Sequence, residues 1–133
     1  MQTKLQDTNP RSILVVEDDR AISKMLRRNL ENKATRVVEA ASGLDCIRVL
    51  NETKIDLILM DLSLPDFNGW GILSLLRLTS PLRHVPVIMV TVEPPDKALM
   101  EQFRPDEYIQ KPFDMSDLLG RVRKVMKSRS GNP

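Results

Sequence analysis

Alternation constrains this chain most. Short runs of β-branched and aliphatic residues at 13–16, 36–38, 57–60, 87–90 and 108–110 are separated by segments whose apolar residues repeat at helical spacing. Ile22, Met25, Leu26 and Leu30 share one helical face, as do Leu44, Ile47 and Leu50. Ile72, Leu73, Leu75 and Leu76 mark a third helix. Leu118, Leu119, Val122, Val125 and Met126 mark the last, with Asp114 as its N-cap. The fourth helix is expected to run only about two turns, because Glu93-Pro94-Pro95 precedes it and Arg104-Pro105 cuts it off. Strands apolar on both faces must be covered on both. The pattern therefore predicts an α/β fold, a doubly wound parallel sheet of five strands with right-handed crossovers.

A chain of 133 residues suits one domain, expected over residues 11–127, with polar tails at 1–10 and 128–133. No apolar run approaches the ~20 residues of a membrane span, and the opening MQTKLQDTNP lacks the apolar core of a signal peptide. A cytoplasmic protein that does not enter membranes is expected. A net charge of +2 gives no ground for direct nucleic-acid binding by this domain, and Arg121, Arg123, Lys124, Lys127 and Arg129 read as a solvated helix face. The single Cys46 reads as a small buried hydrophobe.

Ligands of open α/β sheets bind beyond the carboxyl ends of the strands, so the residues just after each apolar run carry the functional argument. Glu17 and Asp18 follow the first run, Asp61 the third, Thr91 the fourth and Lys111 the fifth. Carboxylates about 4 Å apart repel by roughly 4 kcal/mol at an effective dielectric near 20, enough to hold a proton on one of them unless a cation intervenes. Oxygen donors favour a hard ion. A sparse set suits Mg²⁺ (or Mn²⁺), which takes one or two carboxylates and fills the remaining positions with water and phosphate oxygen. No histidine or cysteine stands beside these acids to suggest zinc.

The runs ILVVEDD (13–19), DLILMDLSLPDFNGW (56–70), VPVIMVT (85–91) and DEYIQKPF (106–113) resemble the signature segments of response-regulator receiver domains, in family order and spacing. The resemblance covers nearly all of residues 11–127. It implies the flavodoxin-like receiver fold with strand order 2-1-3-4-5, the order of chemotaxis receivers. It also implies that Asp61 accepts a phosphoryl group, that Asp18 ligates the metal directly and Glu17 mainly through water, and that the backbone carbonyl of Ser63 completes the protein ligands. Thr91 and Lys111 would contact phosphoryl oxygens, and the bond before Pro112 would be cis. The donor would be a phosphohistidine on a histidine kinase or phosphotransfer protein. Such a chain is a switch that catalyses its own modification, not a turnover enzyme. Thr91 and Tyr108 would pass the signal to the face built by the fourth helix, fifth strand and last helix, where an output domain or a second copy would dock.

Some features depart from that pattern. Val92 stands where a small residue usually follows the threonine, and Phe103-Arg104-Pro105 replaces the Gly-Ala pair common before the fifth strand. A receiver fold serving as an interaction module, with little or no phosphorylation, is the alternative expectation. An aspartyl phosphatase is disfavoured by serine at Ser63, where its second acid belongs, and a nucleotide binder by Glu17-Asp18-Asp19, which repel phosphate without a metal. Phe67 and Trp70 read as packing residues, and His84 as a surface residue rather than a phosphodonor.

Overall fold

The computed structural model describes residues 9–130; residues 1–8 and 131–133 of the expected tails lie outside them. Strands β1 (Arg11–Val16), β2 (Thr35–Ala40), β3 (Leu57–Met60), β4 (Val87–Thr91) and β5 (Glu107–Gln110) alternate with helices α1 (Arg20–Leu30), α2 (Gly43–Glu52), α3 (Gly69–Leu78), α4 (Lys97–Phe103) and α5 (Met115–Ser130). All strand pairings are parallel, in the order β2-β1-β3-β4-β5. The doubly wound order expected from the resemblance is the one present. The last helix runs through Ser130, so residues 128–130 continue it beyond the expected boundary.

Side chains alternate across the central strands and build two cores. Ile13, Val15, Leu57, Leu59, Ile88 and Val90 pack on one face with Leu26 and Leu30 of α1 and Leu118, Val122 and Val125 of α5. Leu14, Val16, Ile58, Met60, Val87 and Met89 pack on the other with Cys46 and Val49 of α2 and Ile72, Leu73 and Leu76 of α3. Every residue of β3 and β4 is buried. This two-sided burial is why those strands read as unbroken apolar runs.

The structure corrects three helix faces. Met25, Leu44 and Leu75 were expected on buried faces, yet they are 39%, 66% and 48% exposed. In α2 the inward stripe is Gly43, Cys46 and Val49, which puts Leu44 on the outer side. Cys46 is fully buried, and that burial pushes its thiol pKa up to about 12, leaving it an unreactive filler. The fourth helix is short as expected, seven residues, and ends at Arg104 in the left-handed conformation, φ 50°.

Candidate functional site

Each helix on this rim begins with a side-chain cap. Asp19 accepts from Ala21 N at 2.9 Å, Asn68 from Trp70 N at 2.8 Å, Asp96 from Leu99 N at 3.1 Å and Asp114 from Ser116 N at 2.9 Å. Sheet hydrogen bonding continues one step beyond the strand ends. Glu17 N donates to Ala40 O at 2.9 Å, Asp61 N to Val16 O at 3.0 Å and Lys111 N to Thr91 O at 2.7 Å. The ladder itself therefore fixes the backbone of these three residues. With β1 between β2 and β3, Glu17 and Asp61 emerge side by side.

The expected cluster is assembled. Carboxylate oxygens of Glu17, Asp18 and Asp61 lie within 4.8 Å of one another. Lys111 Nζ reaches between two of them, donating to Glu17 Oε1 at 2.6 Å and to Asp61 Oδ2 at 3.0 Å. The Lys111, Glu17 and Asp61 side chains are 11%, 4% and 8% exposed, whereas Asp18 is exposed. Glu17 also accepts from Asp19 N at 3.1 Å, and Asp61 Oδ1 from Ser63 N at 3.1 Å. Burial holds the Glu17 carboxyl above its ordinary value, with the Asp61 charge adding to the effect and Lys111 opposing it. The hydrogen bonds to Glu17 and Asp61 raise the ammonium of Lys111 despite its burial. Three carboxyl groups beside one ammonium leave a negative pocket of oxygen donors, which fits a small divalent cation.

Thr91, fully buried at the end of β4, accepts from Glu93 N through its hydroxyl at 3.4 Å. Lys111–Pro112 is cis, as expected, and so is Ser80–Pro81, which was not foreseen. Tyr108 stands apart from the cluster. Its hydroxyl donates to Glu93 O at 2.8 Å and Pro94 O at 3.3 Å, and its ring stacks on Trp70 with centroids 6.2 Å apart. Trp70 is buried and stacks also on Phe103, a packing role as expected. Val92 leaves most of its surface to solvent, 61%.

Sequence reasoning assigned no role to Glu93 or Asp66. Ser63 Oγ donates to Glu93 Oε2 at 3.0 Å, linking the loops that follow β3 and β4. Asp66 reaches the start of α2, 23 residues earlier in the chain, and no local pattern announces so distant a partner.

Gly69 holds the loop after β3 close to the sheet. A Cβ there would lie 2.7 Å from the Asp61 carbonyl oxygen and 2.9 Å from Leu62 Cα, backbone atoms with little room to move. Gly69→Ala is expected to destabilise the chain by about 1–3 kcal/mol through this overpacking. Urea unfolding measures it; an unchanged midpoint would contradict so close an approach.

A family model for the response regulator receiver domain matches residues 13–123. The chain belongs to the response regulator receiver family. It is 37% identical over 119 residues to the phosphate regulon transcriptional regulatory protein PhoB of Klebsiella pneumoniae, covering 88% of this chain and 52% of that protein. The chain thus spans about half the length of the curated relatives it matches. A receiver domain protein from Methanospirillum hungatei JF-1 superposes with TM-score 0.85 at 26% identity, over 94% of this chain and 100% of that one. The receiver domain of the sensor histidine kinase PA1611 from Pseudomonas aeruginosa PAO1, described with a magnesium ion coordinated in its active site cleft, superposes with TM-score 0.78 at 27% identity, over 89% and 98% of the two chains. The acidic cluster of this receiver fits such a site. No helix among the described residues is long and apolar enough to cross a membrane.

Proposed function

We propose that this receiver takes a phosphoryl group on Asp61 from a phosphohistidine of a histidine kinase or phosphotransfer protein, with Mg²⁺ or Mn²⁺ bound at the rim. The observation that carries the reading is the buried Asp61 carboxylate, held within 4.8 Å of two further acids and 3.0 Å from the Lys111 ammonium. An Asp61 oxygen attacks phosphorus, the bond from phosphorus to the imidazole nitrogen breaks, and an acyl phosphate forms. Lys111 and the Thr91 hydroxyl are the protein's contacts for the phosphoryl oxygens. Asp18, Asp61, the Ser63 carbonyl and, through water, Glu17 would hold the cation, which supplies charge neutralisation when bound.

Chemistry of this kind needs positioning and electrostatics more than a dedicated base, so the domain catalyses its own modification and slow hydrolysis without being a turnover enzyme. Thr91 and Tyr108 form the switch. Drawing the Thr91 hydroxyl toward a phosphoryl group releases Glu93 N, and Tyr108 holds the next carbonyls of that same loop. The response then reaches the face of α4, β5 and α5, which serves an output domain of a longer chain or a second copy. The domain itself contacts no nucleic acid, and the reading places it in the cytoplasm.

Acetyl phosphate with Mg²⁺ tests the proposal. Intact-mass measurement should show one added phosphoryl group, and beryllium fluoride with Mg²⁺ should slow amide exchange around Thr91 and Tyr108. No mass gain from any donor, together with no Mg²⁺ binding, would replace the switch with a constitutive interaction module.

A further inference from the structure

The first turn of α2 is capped from two places. Ser42 Oγ accepts from Asp45 N at 3.1 Å, the usual local cap. Gly43 N and Leu44 N, which have no partner inside the helix, donate instead to Asp66 Oδ1 at 2.7 Å and Oδ2 at 2.9 Å. Asp66 belongs to the loop between β3 and α3. That loop is closed at its base, where Gly69 N donates to Leu62 O at 2.9 Å and Ser63 bridges Asn68. Its base presents Asp61 and Ser63 to the rim, and its tip carries Asp66 and Phe67.

The tip also packs on the helix. A Cβ at Gly43 would lie 2.5 Å from the Phe67 ring and 2.9 Å from Ile72, so the glycine is what lets the loop come so near. The N–H of Leu44 is the main influence holding the Asp66 carboxyl below the usual range, as a helix N-terminus holds an anion.

We infer that Asp66 is a positioning residue for the cation site: by clamping the loop tip to α2, it fixes the path along which the Ser63 carbonyl and Asp61 meet the metal. This rests on the reading of the rim as a Mg²⁺ site. Without the clamp the tip keeps its Phe67 packing but loses its hydrogen bonds to α2, and the looser loop lets the Ser63 carbonyl sample orientations that do not face the other ligands. Outer partners that orient ligands in this way typically affect metal affinity roughly 10- to 100-fold.

The test uses the full chain, calorimetric titration with Mg²⁺ alone, and amide hydrogen exchange. Asp66→Ala should weaken Mg²⁺ binding roughly tenfold and speed exchange across residues 62–69. Ser42→Ala uncaps the same helix without touching the loop, so it should cost stability yet keep wild-type affinity and loop protection. Asp66→Asn retains one acceptor oxygen and should fall between wild type and Asp66→Ala, and it carries the comparison if the alanine variant does not fold. Equal affinity in the wild type and both Asp66 variants would overturn the inference, as would an equal loss in Ser42→Ala and Asp66→Ala. A wild-type chain that binds no Mg²⁺ would overturn the reading of the rim itself, and this inference with it.

Discussion

Asp61→Asn is expected to abolish phosphoryl incorporation from acetyl phosphate while leaving the fold in place. A carboxamide has no anionic oxygen to attack phosphorus, so the loss should be complete on intact mass rather than partial. Its shape matches the carboxylate, and its oxygen can still accept from Ser63 N or Lys111, the two donors Asp61 has now. The electrostatic effects on stability oppose each other. The substitution removes the attraction to Lys111 and also the repulsion from Glu17 and Asp18, each on the order of 4 kcal/mol at an effective dielectric near 20. Two repulsions are lost against one attraction, with that from the exposed Asp18 the more screened by water, so the thermal midpoint should not fall and is expected to rise. A folded Asp61→Asn chain that still gains phosphoryl mass would place the acceptor elsewhere on the rim.

The position of Asp61, the proposed acceptor, was legible from sequence because β3 is buried on both faces and then turns abruptly polar. Leu-Ile-Leu-Met meets Asp61 with no intervening residue, and parallel pairing carries that break to the same level as Glu17 after Val16. The strand order was less legible. It came from family resemblance, since periodicity fixes strands and helices but not which strands are neighbours. Helix faces were misjudged where apolar residues are too many to mark a stripe. GWGILSLLRL places leucines all round α3, so that Leu75 and Leu78 end 48% and 82% exposed. The Asp66 clamp had no signal of its own, because the acid lies in a loop and its partners 22 and 23 residues away. Cap rules look within a few residues of the helix start, and here Ser42 already met them.

Lys111→Met should have the largest effect on stability, and its size should depend on pH and Mg²⁺. Lys111 is the only side-chain cation bonded to Glu17 and Asp61 among the described residues, and Glu17 is 4% exposed. Removing one partner of a fully buried pair costs roughly 3–5 kcal/mol; the exposed Asp18 opens this rim to water, so a loss of about 2–4 kcal/mol is expected at neutral pH without metal. Glu17 is raised in the folded state, chiefly by burial. The folded chain therefore holds that proton more tightly than the unfolded one. The stabilising contribution is present below the ordinary carboxyl value of 4.5 and is lost as pH rises through the raised folded value. Without the ammonium that folded value climbs further, so the gap between wild type and variant should narrow as pH falls from neutral. Mg²⁺ should narrow it too, because a bound cation at 100 times its Kd stabilises the folded state by about 2.7 kcal/mol and meets no competing ammonium in the variant. Urea midpoints in EDTA and in Mg²⁺, each at two pH values, measure all of this. A variant as stable as wild type at neutral pH in EDTA would mean that the crowded acids need no counter-charge, and the electrostatic basis for a cation at this rim would go with it.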